Sequence, residues 1–300
     1  MSDARWTNAV RAAQCLIADP VGLGGIHLRA RAGDARDVWI SLLKGTLQSA
    51  ARLSPEIGDV DLFGGLDLTE TLRLGRPVQR PGILERSSTL ILPMAERAQP
   101  GLAARLGQVL DAGKHCLICL DEGTDADECL TAALADRLGL AIDLDGLRAG
   151  VMPIPLPLDD SDAVADPDAE RRLAAVTLAF GIASLRRTGL AMRVARASAH
   201  IDGRESLSEA DLTFAVEVSL APHATRIPQA EQDPQPETPD TSPDQPDRPD
   251  DEGETPDLPK GDILLEAALA TLPPDVLERL AAGVVPRASG AGAGATRKGN

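Results

Sequence analysis

Residues Ala30-Arg31-Ala32-Gly33-Asp34-Ala35-Arg36-Asp37 stand between a short apolar stretch and an amphipathic one. That is where a phosphate-gripping loop joins a strand to a helix. Such a loop needs G-x-x-x-x-G-K-[ST]: glycines let backbone N–H groups approach the phosphates, the Lys reaches the β and γ groups, and a hydroxyl holds Mg²⁺. Here Ala30 and Ala35 occupy the glycine positions, Arg36 replaces the Lys, and Asp37 replaces the hydroxyl. A carboxylate beside a triphosphate repels it, and Arg does not stand in for a phosphate-binding Lys. The pattern predicts a loop that keeps its place in the fold and has lost turnover. An active ATPase in which Arg36 does the work of Lys is the alternative the residues leave open.

Other groups could also carry chemistry. Cys116 and Cys119 form C-x-x-C, with His115 and Cys129 nearby. A metal or redox role needs those sulfurs on a turn or helix start. They fall inside the apolar run Cys116 to Leu120, which reads as a buried strand where free Cys behaves as a small hydrophobe. Asp121-Glu122 follows that run and resembles a hydrolytic acid pair; a structural or interface role at a strand end is the competing reading. Arg137 beside Asp136 reads as an ion pair or helix cap, and Arg186-Arg187 as a solvated face.

The elements that must position these groups follow from periodicity. Trp6, Ala9, Val10, Ala13, Leu16 and Ile17 repeat at helical spacing up to Asp19-Pro20. Residues 24–30 read as a strand, 38–51 as a helix, 59–67 as turn-rich and 68–74 as helical. Strands are expected at 89–92, 116–120 and 140–144, with helices at 99–111 and 126–137. Alternating strands and helices predict an α/β fold with a parallel sheet covered on both faces. Beyond Pro157 the pattern becomes all-helical. Asp166-Pro167 opens one helix, 190–201 forms another that stops at Gly203, and Ser208 with Asp211 makes a capping box for a third.

Nine prolines and eleven acids then crowd residues 228–259 with almost no apolar side chain. Such a segment cannot bury enough surface to offset its chain entropy and is expected to stay extended. The expected organisation is an α/β domain at 1–158, a helical lid at 159–225, an acidic linker at 226–260, and a helical segment with a tail at 261–300. Of the net charge of −16, residues 231–260 carry −9, so the rest is mildly acidic. No basic face suggests nucleic acid. No apolar run approaches the roughly 20 residues of a membrane span, and the first eight residues lack the apolar core of a signal peptide. A soluble, cytoplasmic protein is expected.

Five segments in order resemble the D subunit of magnesium chelatase, the AAA+-type partner in ATP-driven insertion of Mg²⁺ into protoporphyrin IX. They are the altered loop at 30–37, Leu62 to Asp67 (LFGGLD), and Arg80 to Leu84 (RPGIL). The fourth is Leu120 to Gly123 (LDEG) with Asp127-Glu128 and Leu134 to Gly139 (LADRLG). The fifth is Arg193 to Ala197 (RVARA) with Asp202 to Arg204 and Glu209 to Asp211. The match covers residues 1 to about 225, and the acidic linker follows as in that family. The vanished phosphate loop points to the D subunit rather than its ATP-hydrolysing I partner.

The resemblance implies an AAA+-like sheet with a helical lid, in a hetero-oligomeric ring with the I subunit that works with the porphyrin-binding H subunit. It implies that ATP and Mg²⁺ are used by the whole complex, with none held tightly by this chain and no metal site in it. In the I partner, the strand preceding the second conserved helix ends in Asp-Glu; Pro93-Met94 stand there here, and Asp121-Glu122 fall on the next, nucleotide-sensing strand. Arg137 matches the family's arginine finger, which reaches a neighbour's nucleotide, and Arg186 its lid-borne sensor arginine. Arg193, Arg196 and Arg204 match lid positions with a packing or interface role. The family's C-terminal integrin-I-type domain with D-x-S-x-S is not matched, so the chain is expected to be truncated or diverged after residue 285. A structural adaptor of a cobalt-chelating relative is the other reading the resemblance allows.

Overall fold

The computed structural model describes residues 2–46, 50–124, 128–150 and 166–226. The acidic linker and tail lie outside the described residues. After helix α1 (Ser2–Ala18), strand β1 (Gly25–Arg29) enters the interior of a five-stranded parallel sheet and leads through the altered loop into α2 (Asp34–Thr46). The chain then crosses to the sheet edge at β2 (Ala50–Arg52) and makes an excursion of α3 (Asp59–Phe63), β3 (Gly64–Leu66), α4 (Leu68–Leu74), β4 (Gln79–Pro81) and α5 (Ile83–Arg86). It returns through β5 (Thr89–Leu92), α6 (Pro100–Asp111), β6 (Cys116–Asp121), α7 (Ala132–Ala135) and β7 (Leu140–Asp143). The sheet order is β2-β5-β6-β1-β7, and β3 and β4 pair separately as an antiparallel hairpin.

Both faces of the sheet are covered at its middle, which is why β5 and β6 are nearly continuous apolar runs rather than alternating. Every residue of β5 and β6 is buried. Along β6, Cys116, Ile118 and Leu120 join one core cluster, while Leu117 and Cys119 join the other. Gly25 lets β1 lie against β6: at its φ of 139° a Cβ would sit 1.9 Å from the Leu117 carbonyl oxygen. The register that results sets Arg29 opposite Asp121 and brings the loop after β1 beside the end of β6. In open parallel sheets this carboxyl end is the ligand-binding edge.

Three helices follow, α8 (Pro167–Ala179), α9 (Leu185–Ile201) and α10 (Glu209–Ala215), then a π-helical turn at Val216–Leu220. Asp166 caps α8 through the amides of Asp168 and Ala169. Ser208 and Asp211 form the expected capping box. These helices share one apolar cluster with α1 and β1, through Leu16, Ile26, Phe180, Val194 and Phe214. Arg11 on α1 adds hydrogen bonds to Ser198 and Asp202 of the α9 end.

Several expected boundaries move. The helix expected at 38–51 is α2, and its last expected residues belong to edge strand β2, held by pairing with β5 rather than by propensity. The turn-rich stretch at 59–67 contains a short helix and a hairpin strand. Of the helix expected at 126–137, α7 forms among the described residues; residues 128–131 are not helical, and 126–127 lie outside the described residues. The helix expected at 190–201 begins five residues earlier, at Leu185.

Candidate functional site

The altered loop is filled by the chain's own carboxylates. A phosphate cradle offers bare amides, a cation and a helix N-terminus. Here the Arg31 backbone N–H donates to Asp145 Oδ1 at 2.8 Å, and Arg31 Nε donates to Asp145 Oδ2 at 3.1 Å. Arg36 Nη1 donates to Glu122 Oε1 at 2.6 Å. Asp34 and Asp37 occupy the first turn of α2 and answer its dipole. Ala30 and Ala35 are buried, and Gly33 does not use the left-handed backbone region. A cavity of about 350 Å³ remains beside the loop, lined by residues 30–36 and 144–147. One loop amide, the Arg36 cation and the helix N-terminus each already have an anion. The loop residues do not fit a nucleotide.

The neighbouring acids are structural. Asp121 is buried and accepts from the Gly123 N–H at 2.9 Å, with His27 Nε2 at 2.8 Å from its other oxygen. Burial pushes the Asp121 carboxyl up, but the His27 and Gly123 hydrogen bonds outweigh it and hold the group below the ordinary range. At the end of β5, Met94 adopts a left-handed backbone at φ 48°. Glu96, just beyond it, accepts the Glu122 N–H at 3.1 Å. Glu96 escaped the sequence reading because it lies past the strand end where an acid pair was sought.

Arg137 lies at the other end of the sheet. It precedes β7, and its carbonyl abuts Gly24 at the start of β1: a Cβ there would lie 2.5 Å from the Arg137 oxygen. The five residues of β1, about 16 Å at 3.3 Å per residue, separate that point from the loop. Arg137 therefore cannot serve its own loop. Its Nε and Nη2 donate to Asp111 at 3.0 and 2.7 Å, and its Nη1 donates to the Ala133 carbonyl at 2.7 Å. Arg186, from the helical segment, reaches the same carboxylate, with Nη1 2.5 Å from Asp111 Oδ1. The structure thus joins the two predicted arginines with each other and separates both from residues 30–37. Arg137 caps its helix as the plain reading had it, but pairs with Asp111 rather than Asp136.

The Arg186-Arg187 doublet is not a solvated face. Arg187 is 1 % exposed, and its guanidinium donates to the carbonyls of Ala135, Leu138 and Ser219. Burial pulls its pKa down to about 10. Nothing in an Arg-Arg doublet separates a buried member from an exposed one; the helical phase of α9 does, since Arg187, Leu190, Ala191 and Val194 share its buried face. Arg193 lies 3.6 Å from Asp19 at the surface, and Arg204 pairs with Asp202 and Asp211. Cys116 and Cys119 are buried thiols whose pKa values burial raises, that of Cys116 to about 12. Among the described residues no group of three or more His, Cys, Asp or Glu could hold a metal, and no helix is long and apolar enough to cross a membrane.

The strand order, the central strand–loop–helix unit and the helical segment behind it define an AAA-type fold with a degenerate nucleotide loop. The model of the AAA lid domain matches residues 170–246. A solved structure of a proposed ATPase from Cytophaga hutchinsonii superposes with a TM-score of 0.54 at 14 % identity, over 73 % of this chain and 84 % of that one. More particularly, the chain is 43 % identical over 313 aligned residues to the magnesium-chelatase 60 kDa subunit of Cereibacter sphaeroides, across 98 % of this chain and 55 % of the relative. The corresponding subunit of Rhodobacter capsulatus is 39 % identical over 226 residues, 72 % of this chain and 40 % of the relative. The chain spans about half the length of the curated relatives it matches.

Proposed function

We propose that this chain is the AAA-type, non-hydrolysing part of a magnesium chelatase subunit. It supports ATP-dependent insertion of the substrate Mg²⁺ into protoporphyrin IX in bacteriochlorophyll synthesis, a cytoplasmic reaction. It assembles in a ring with the ATP-hydrolysing I subunit and couples that motor to the porphyrin-binding H subunit. ATP and Mg²⁺ are taken from the complex and not held tightly here. The observation that carries this reading is the separation of the two charged centres. The loop at 30–37 is neutralised from within, whereas Arg137 and Arg186 gather at the sheet end that cannot reach it and can face a neighbour. A finger supplied in trans stabilises charge on a transferring phosphoryl group and can contribute several powers of ten in rate.

The test is reconstitution with the I and H subunits. The purified chain alone should hydrolyse no ATP. Arg137→Ala should lower chelatase activity by at least about tenfold while co-purification with the I subunit persists. Activity equal to that of the unaltered chain would remove Arg137 from the mechanism.

A further inference from the structure

Asp111 is the last residue of α6, a position where a carboxylate meets the negative end of the helix dipole and gains nothing from it. Its stability there comes from outside the helix. Arg137 lays its Nε–Nη2 edge on both carboxylate oxygens, the same edge that grips a phosphate side-on. Arg186 closes on Oδ1 from the helical segment, and its Nε lies 3.7 Å from Asp136. The Arg137 hydrogen bond holds the Asp111 carboxyl below the ordinary range against the upward push of burial, and Arg186 adds to it.

Three further features make this a built arrangement. Gly107, in the middle of α6, opens the space in which Arg137 lies: a Cβ there would stand 3.2 Å from Arg137 Nε and 3.4 Å from its Cζ. A mid-helix glycine costs about 1 kcal/mol relative to alanine, so the space has a cost. Arg187 bonds the carbonyls of Ala135 and Leu138, fixing the backbone on either side of Arg137. Only the Arg137 side chain is left to move. The cluster is also open to water, with the Asp111 and Arg186 side chains 36 % and 43 % exposed. Ion pairs so exposed are worth at most about 1 kcal/mol, so an incoming anion can displace this one cheaply.

We infer that Asp111 is a positioning residue, an internal stand-in for phosphate oxygens that holds Arg137 and Arg186 together until a nucleoside triphosphate on a neighbouring subunit takes its place. The inference rests on the proposed trans role of Arg137. A triphosphate presents more than one negative charge to the same two guanidiniums, so exchange favours it once the subunits meet. In the separate chain the carboxylate keeps both arginines ordered and offsets part of their charge. Because the arginines come from the turn before β7 and from the helical segment, the exchange also reports across the junction between them.

The test compares the unaltered full chain with Asp111→Asn, Gly107→Ala and Arg137→Ala in the reconstituted complex. ATP hydrolysis is followed as a function of ATP concentration. Asp111→Asn keeps shape and removes the competing charge. It should lower the half-saturating ATP concentration about three- to fivefold, the equivalent of an exposed pair, with the change in that concentration rather than in the maximal rate. Gly107→Ala crowds Arg137 off Asp111 without altering any charge and improves helix propensity, so it should shift half-saturation the same way and by less. A merely structural Asp111 would lower the melting temperature and leave half-saturation in place. Unshifted half-saturation in both variants, with Arg137→Ala impaired, would overturn the latch and leave the trans arginine standing. Full activity of Arg137→Ala would sink both together.

Discussion

The Arg36 guanidinium and the Glu122 carboxylate meet at 2.6 Å across the gap between the loop after β1 and the end of β6. Arg36 is 15 % exposed and Glu122 36 %. The cation that would draw a γ-phosphate is spent on a neighbour 86 residues away. A few residues off, Asp145 does the same to a loop amide. On the proposed reading, two layers oppose a phosphate here: the replaced loop residues and the acids that now pair with the loop.

Restoring the loop alone should recover little. In a chain carrying Ala30→Gly, Ala35→Gly, Arg36→Lys and Asp37→Thr, Glu122 and Asp145 still oppose a triphosphate. Adding Glu122→Gln and Asp145→Asn should tighten binding of fluorescently labelled ATP by about thirtyfold over the loop reversion alone, since each nearby charge contributes on the order of 1 kcal/mol in a solvated site. Equal affinity for the two chains, measured by anisotropy, would show that the acids are bystanders.

The same pair bears on stability. Glu122→Ala leaves a mostly buried guanidinium without its carboxylate. Such breakage costs about 3–5 kcal/mol deep in a core; exposure of Glu122 discounts this to about 1–2 kcal/mol. Urea unfolding should show that loss, and Arg36→Met with Glu122→Met should recover most of it. A double variant no better than the single one would mean that Arg36 has other support.

Arg187 makes a larger prediction. Its side chain joins α9 to the turn before β7 and to the π-helical turn through the carbonyls of Leu138 and Ser219 and the Ser219 hydroxyl, with no carboxylate among these acceptors. Arg187→Ala removes buried packing and takes the guanidinium donor from the Leu138 and Ser219 carbonyls, for a cost of about 3 kcal/mol or more. Loss should appear first as faster hydrogen exchange in residues 133–140 and 185–190. Uniform exchange with an unchanged melting point would refute the weld.

How much of this could be read from the residues depends on how local each signal was. β5 and β6 are continuous apolar runs, and the box at Ser208 and Asp211 is a four-residue rule, so both emerged directly. β2 is Ala50-Ala51-Arg52, without one β-branched residue; only pairing with Leu90 and its neighbours makes it a strand. Of the helix expected at 126–137, the alanine-rich Ala132–Ala135 is helical, whereas residues 128–131 include the weaker helix formers Cys129 and Thr131, and Leu130 is buried outside any helix. Arg137 and Arg186 were found by position in an ordered resemblance, but Asp111 was not. An acid at a helix end looks like ordinary surface until a fold brings two guanidiniums to it from 26 and 75 residues away.

A last prediction concerns pH and the network tying α1 to the helical segment. Arg11 donates to Asp202, and Arg204 bridges Asp202 and Asp211. Asp211, almost wholly buried, also accepts from Ser198 Oγ and the Ser208 N–H. The Arg11 hydrogen bond, with that of Arg204, holds Asp202 below the ordinary carboxylate range against the push of burial. For Asp211 burial pushes up, yet Arg204, Ser208 and Ser198 together hold it far below. A depressed native pKa means the unfolded chain binds protons first as pH falls. The stabilisation is thus complete above the unfolded value near 3.9 and drains away as pH drops through the native ones. The urea midpoint should be flat from pH 8 to about pH 5 and fall steeply below about pH 4. Asp211→Asn should cost about 2–3 kcal/mol at pH 7 and flatten the acid limb, because the group responsible no longer titrates. An acid limb of unchanged steepness in that variant would place the sensitivity in other carboxylates, with Asp111 and Asp121, also depressed, the next to replace.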